Sequence, residues 1–88
     1  MNFVVTQSLK RNDVSEEMMK PHVNYLKELL DRGKLVVTGP FTDDRRGGMF
    51  VLEVNDQAEM KEIVNNDPAF KSGYVESEVR PYKIVFER

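Results

Sequence analysis

The stretch Lys34–Val54, KLVVTGPFTDDRRGGMFVLEV, decides the fold, because it joins two extended segments directly, with no helix between them. Lys34–Phe41 reads as a strand interrupted at Gly39-Pro40. The polar run Thr42–Arg46 with Gly47-Gly48 reads as the turn, and Met49–Val54 as the next strand. Within it Phe50, Leu52 and Val54 alternate with Val51 and Glu53, so one face is wetter than the other.

A helix pattern and a further strand lie on each side of this pair. Upstream, Asn2–Ser8 reads as a strand, since Phe3, Val4, Val5 and Thr6 all favour extended backbone. From Ser15 to Arg32 the apolar positions Met19, Leu26, Leu29 and Leu30 recur at steps of three and four, a helical period. Ser15 is an N-cap candidate, and Glu16 and Glu17 complement the helix dipole. Pro21 inside such a helix removes a backbone bond at a cost of about 3 kcal/mol. The sequence therefore predicts a loose turn over Glu16–Lys20, a regular helix opening on Pro21, and a stop at Gly33.

Downstream, Asp56-Gln57-Ala58-Glu59 has the form of a capping box, opening a helix that buries Met60, Ile63 and Val64. Pro68 ends it at Asp67, and Ala69–Ser72 add one turn closed by Gly73. Tyr74–Arg80 reads as a strand with Val75 and Val79 on one face, and Tyr82–Phe86 as an extended tail beyond Pro81. Strand, helix, two strands, helix, strand is a ferredoxin-like βαββαβ order: an α+β antiparallel sheet with both helices on one face. Apolar residues on more than one strand face, and the hydrophobic tail, predict a homodimer whose second copy covers the other face.

Composition narrows the function classes. Eighty-eight residues make a single domain, 1–88, with a thin core. At 40% hydrophobic and 32% charged residues the chain is globular. It has no cysteine and no apolar run long enough for a signal peptide or membrane span, which predicts a cytoplasmic protein without a membrane partner. A net charge of −2 gives no electrostatic reason to expect nucleic acid. Arg46-Gly47-Gly48-Met49-Phe50-Val51 partly matches the RNA-recognition strand motif, but its stacking aromatics would fall at Gly48 and Glu53. A metal site on one histidine and scattered carboxylates is weak, as most recruit more nitrogen or sulfur. Haem on a helix histidine is a minor alternative, and no cofactor is expected.

The chain's only histidine, His22, falls in the apolar row of the first helix, three residues after Met19 and four before Leu26. An imidazole there suits proton transfer, since its unperturbed pKa of about 6.5 lies near physiological pH. The plainer alternative is a core histidine bonded for stability. Placed near a helix start, His22 would be disfavoured in its protonated form by the dipole. Asp67 sits where the second helix stops, and aspartate before proline is also a common loop-former. A carboxylate holding one ring nitrogen of His22 would fix its tautomer and stabilise its charged form.

The set Pro21-His22 with Tyr25-Leu26, Gly33-Lys34-Leu35, Thr38-Gly39-Pro40, Asn66-Asp67-Pro68-Ala69-Phe70, Gly73-Tyr74-Val75-Glu76 and Val79-Arg80-Pro81-Tyr82 resembles the YciI-like (YCII-related) family over nearly the whole chain. The resemblance implies a ferredoxin-like fold that dimerises through its sheets, in the dimeric α/β-barrel manner. It also implies a pocket centred on a paired histidine and aspartate, which map onto His22 and Asp67. Some similar proteins act on hydroxylated or chlorinated aromatic rings by proton transfer and elimination. Two departures stand out: proline and histidine are adjacent here, where family members often have a residue between them, and the turn after Gly39-Pro40 is short.

These readings converge on a small-molecule enzyme of lyase or isomerase type. It would run cofactor-free acid–base chemistry on an aromatic or carbonyl-bearing substrate. His22 would carry the proton and Asp67 would orient it. Gly39, Pro40 and Ser72 are candidate substrate-binding residues; the structural alternatives are a strand end for the first two and a turn cap for Ser72. Strand Arg80 is placed in solvent. The rival function is a non-catalytic ligand-binding or accessory dimer.

Overall fold

A computed structural model of the chain describes residues 1–43 and 46–88. Its elements run β1 (Asn2–Leu9), α1 (Glu16–Asp31), β2 (Leu35–Pro40), β3 (Gly47–Glu53), α2 (Gln57–Asn65), α3 (Pro68–Lys71) and β4 (Val75–Tyr82). The strands form one antiparallel sheet in the order β2-β3-β1-β4, the ferredoxin-like arrangement.

Register sorts the side chains into two layers. Phe3, Val5 and Gln7 of β1 sit opposite Leu52, Phe50 and Gly48 of β3 on the face that meets the helices. Leu26 and Leu29 of α1 with Met60, Ile63 and Val64 of α2 close the core over them. Val5 and Leu52 are fully buried at its centre. Burying a side chain of this kind stabilises the fold by about 1.5–3 kcal/mol.

Three expectations need correction. First, α1 starts at Glu16, with Ser15 as its N-cap and Pro21 inside it. Proline there deletes one amide donor, and the residue whose carbonyl that donor would have reached, Glu17, is exposed to water. Second, Gly47 and Gly48 belong to β3 rather than to the turn. A Cβ at Gly47 would lie 2.1 Å from the Gln7 carbonyl, and one at Gly48 would lie 2.7 Å from that of Gly39. Glycine lets the neighbouring backbones approach that closely. Pro40 likewise pairs with Gly48 inside the sheet instead of interrupting β2. The turn expected over Thr42–Arg46 includes Asp44 and Arg45, which lie outside the described residues. Third, β4 continues through Pro81, opposite Phe3, to Tyr82. As an edge strand it has no outer neighbour for a missing donor to matter to.

The cap of α2 follows expectation with one shift. The Asp56 side chain accepts from the Glu59 backbone at 2.8 Å. The Glu59 carboxylate reaches back one residue further than a capping box does, to the Asn55 N–H at 2.8 Å.

Candidate active site

On the helix-facing layer, Pro40, Gly48, Gln7 and Ser77 form one row across the four strands. Gly48 contributes no side chain to that row, and a cavity of about 450 Å³ lies there. Its walls are mostly apolar, with Leu9, Met19, Leu26 and Phe50 among them; Gln7 and His22 bring polar groups. A space of this volume suits one small ligand.

His22 lies in the second turn of α1, seven residues in from the cap rather than at the helix start. The dipole acts mainly within the first turn, so the helix-start placement expected for His22 does not hold. The ring is nearly buried and its Nδ1 lies 2.6 Å from Asp67 Oδ1, across 45 positions of sequence. Asp67 is 0% exposed. It is the N-cap of α3, so the same Oδ1 also accepts the Ala69 N–H at 3.0 Å. Its other oxygen accepts from Gln7 Nε2 at 2.7 Å. Three donors satisfy a carboxylate with no water contact, which is the condition for burying one.

This arrangement assigns the ring tautomer. The Ala69 and Gln7 N–H groups both donate to Asp67, which marks it as an acceptor, so a neutral His22 ring meets it with Nδ1–H and leaves Nε2 for the cavity. Tyr25, one turn beyond His22 on α1, donates its hydroxyl to the Ile63 carbonyl at 2.8 Å. Burial, and then the nearby Asp67 charge, hold its phenol above the ordinary tyrosine value.

Of the five residues expected at the site, His22 and Asp67 meet, and Gly39 and Pro40 line the cavity beside them. Ser72 does not: it is exposed at the C-cap of α3 and absent from the cavity wall. The serine in the polar network is Ser77, whose Oγ accepts from Gln7 Nε2 at 3.1 Å. Gln7 itself went unread in the sequence. Its signal was a polar residue on the same alternating face as Phe3 and Val5, where burial demands a partner.

The sequence matches the YCII-related domain over residues 1–83. The chain belongs to this family. A YCII-related relative, the uncharacterized protein YjpA of Bacillus subtilis, is 29% identical over 77 residues, covering 88% of this chain and 89% of YjpA. Among solved structures, the domain resembles 5-chloro-2-hydroxyhydroquinone dehydrochlorinase (TftG) from Burkholderia phenoliruptrix, in complex with 2,5-dihydroxybenzoquinone. That match has a TM-score of 0.79 and 26% identity, covering 94% of each chain. Muconolactone isomerase shares the fold at a TM-score of 0.73 and 14% identity, covering 100% of this chain and 98% of the isomerase. Both bear out the α+β, ferredoxin-like fold of the dimeric α/β-barrel type. No helix among the described residues is long and apolar enough to cross a membrane.

Proposed function

We propose that this YCII-related protein is a small-molecule enzyme of lyase or isomerase type. His22 moves a proton for it without a cofactor, on an aromatic or carbonyl-bearing substrate. The observation that carries the reading is the His22 Nδ1–Asp67 Oδ1 contact of 2.6 Å, made at the wall of an apolar cavity. The likeness to a dehydrochlorinase at 26% identity supports the same reaction class.

In this scheme Nε2 takes a proton from a substrate O–H or activated C–H, and the freed electron pair moves into the conjugated ring. For isomerisation His22 returns the proton to another substrate atom. For elimination a leaving group departs with its own electron pair, and the proton goes on to solvent. Asp67 keeps the ring aimed and balances the imidazolium charge between the two half-steps. A positioned acid–base group of this kind supplies roughly 10²–10⁴-fold in rate.

The working unit is proposed to be a homodimer formed through the helix-free sheet face. There Val37, Val51 and Val4 make an apolar row across β2, β3 and β1.

Solvent-deuterium incorporation and halide release from a panel of hydroxylated and chlorinated aromatics, followed by mass spectrometry, test the function. The expected result is a turned-over compound whose rate falls at least about 100-fold in His22→Asn, the lower bound for a lost acid–base group. A ligand that binds and returns unchanged, unlabelled, assigns the non-catalytic accessory role instead.

A further inference from the structure

We propose that Gln7 touches the ligand directly, through its side-chain carbonyl, and makes the cavity select for a ligand carrying two neighbouring hydroxyls; this rests on the acid–base reading of the same site. The amide's orientation follows from its partners. Asp67 Oδ2, at 2.7 Å, must receive a donor, so Nε2 faces it. The second Nε2 hydrogen goes to Ser77 Oγ at 3.1 Å. Both donors are thereby used inside the protein, and the carbonyl oxygen Oε1 is what remains.

That oxygen is not sealed in. Gln7 lines the cavity, and no fully buried side-chain oxygen or nitrogen among the described residues lacks a partner. With no donor to it among the described residues, Oε1 therefore opens on the cavity.

His22 reaches the same conclusion by another route. With Nδ1–H held by Asp67, the neutral ring offers Nε2 as an acceptor. The two groups grip opposite oxygens of one carboxylate, which sets them side by side. A cavity with apolar walls and two adjacent acceptors matches a flat ring with two adjacent O–H donors. Methylating one hydroxyl leaves a buried acceptor facing a methyl group, the costly case of an unmade hydrogen bond.

Catechol and its monomethyl ether, guaiacol, are the probes, titrated without oxygen against the full chain and read from the ring signals of its single histidine. Wild-type protein is expected to prefer catechol by roughly tenfold, and Gln7→Met by no more than about twofold, the worth of one hydrogen bond. Ser77 lies outside the cavity wall, and Ser77→Ala frees one of the amide's two anchors. Its preference should fall below about fivefold, so the test stands even if Gln7→Met does not fold. Absence of catechol binding, equal binding of the two probes by wild type, or an unchanged preference in either folded variant would overturn the proposal. The preference is a binding ratio and needs no turnover. Intact preference without isotope exchange therefore refutes only the acid–base reading, and lost preference with intact exchange refutes only the role of Gln7.

Discussion

His22 and Asp67 meet at 2.6 Å, although one lies in the second turn of α1 and the other caps the four-residue helix α3. The contact ties the first helix to the turn that follows the second. Asp67 thus has two functions at once: it holds the imidazole and it starts a helix. Its two oxygens serve three donors, so removing it strands His22, Gln7 and the Ala69 N–H together.

Asp67→Ala should accordingly lower the unfolding free energy by about 2–4 kcal/mol, the sum of a lost cap and buried donors without acceptors. Asp67→Asn keeps one oxygen for His22 and Ala69 but turns an amide toward Gln7 Nε2, so about 1–2 kcal/mol is expected. Urea denaturation measures both. In the Ala variant, where no acceptor remains at that position, nitrogen NMR of the single histidine should show the proton no longer confined to Nδ1. A cost under about 0.5 kcal/mol for Asp67→Ala, within the range of ordinary surface changes, would mean the network does not hold the site.

How much of this was legible in the sequence differed by feature. Periodicity and turn signals located the strands and helices, because alternation and the three-to-four step follow from backbone geometry alone. The Pro21 expectation failed because the local cost of a proline was set against nothing. In the folded chain, burial of His22, Leu26 and Leu29 along α1 offsets it. Gly47-Gly48 misled for a related reason. Glycine signals a turn locally, and the close approach of Gln7 and Gly39 that needs it is a contact between strands. His22 and Asp67 were readable as chemistry-bearing residues at element ends, but their contact depends on packing. Gln7 was missed because glutamine carries no motif, and only the strand register puts it under Asp67.

The helix-free sheet face yields a second prediction. Val37, Val51 and Val4 stand opposite one another across β2, β3 and β1, and the row ends at Arg80 on β4. Val37 is 53% exposed in the single chain, so Val37→Lys should leave the protomer folded while placing a charge in the proposed dimer contact. Sedimentation at micromolar concentration should give about twice the 10.2 kDa chain mass for wild type and about one chain mass for the variant. A monomeric wild type, or a variant that stays dimeric, would remove the sheet face as the interface.

The last prediction concerns acid stability and lies away from the site. Glu59 accepts the Asn55 N–H and then pairs with Lys34 Nζ at 3.1 Å, which ties the start of α2 to the chain ahead of β2. Hydrogen bonding from the Asn55 backbone first, and from Lys34 second, holds its carboxyl below the ordinary 4.5. A carboxylate favoured in the folded state binds fewer protons there than in the unfolded chain, so its contribution rises with pH. That contribution is complete above the unfolded value and is lost as pH falls through the lower, folded one. Glu59→Gln keeps an oxygen for Asn55 but cannot ionise. Thermal midpoints by circular dichroism should therefore place wild type above the variant at neutral pH, with the gap closing by about pH 3. The remaining carboxylates titrate in both proteins and drop out of the difference. A gap of equal size at neutral pH and at about pH 3 would show that Glu59 supports α2 through its shape and not its charge.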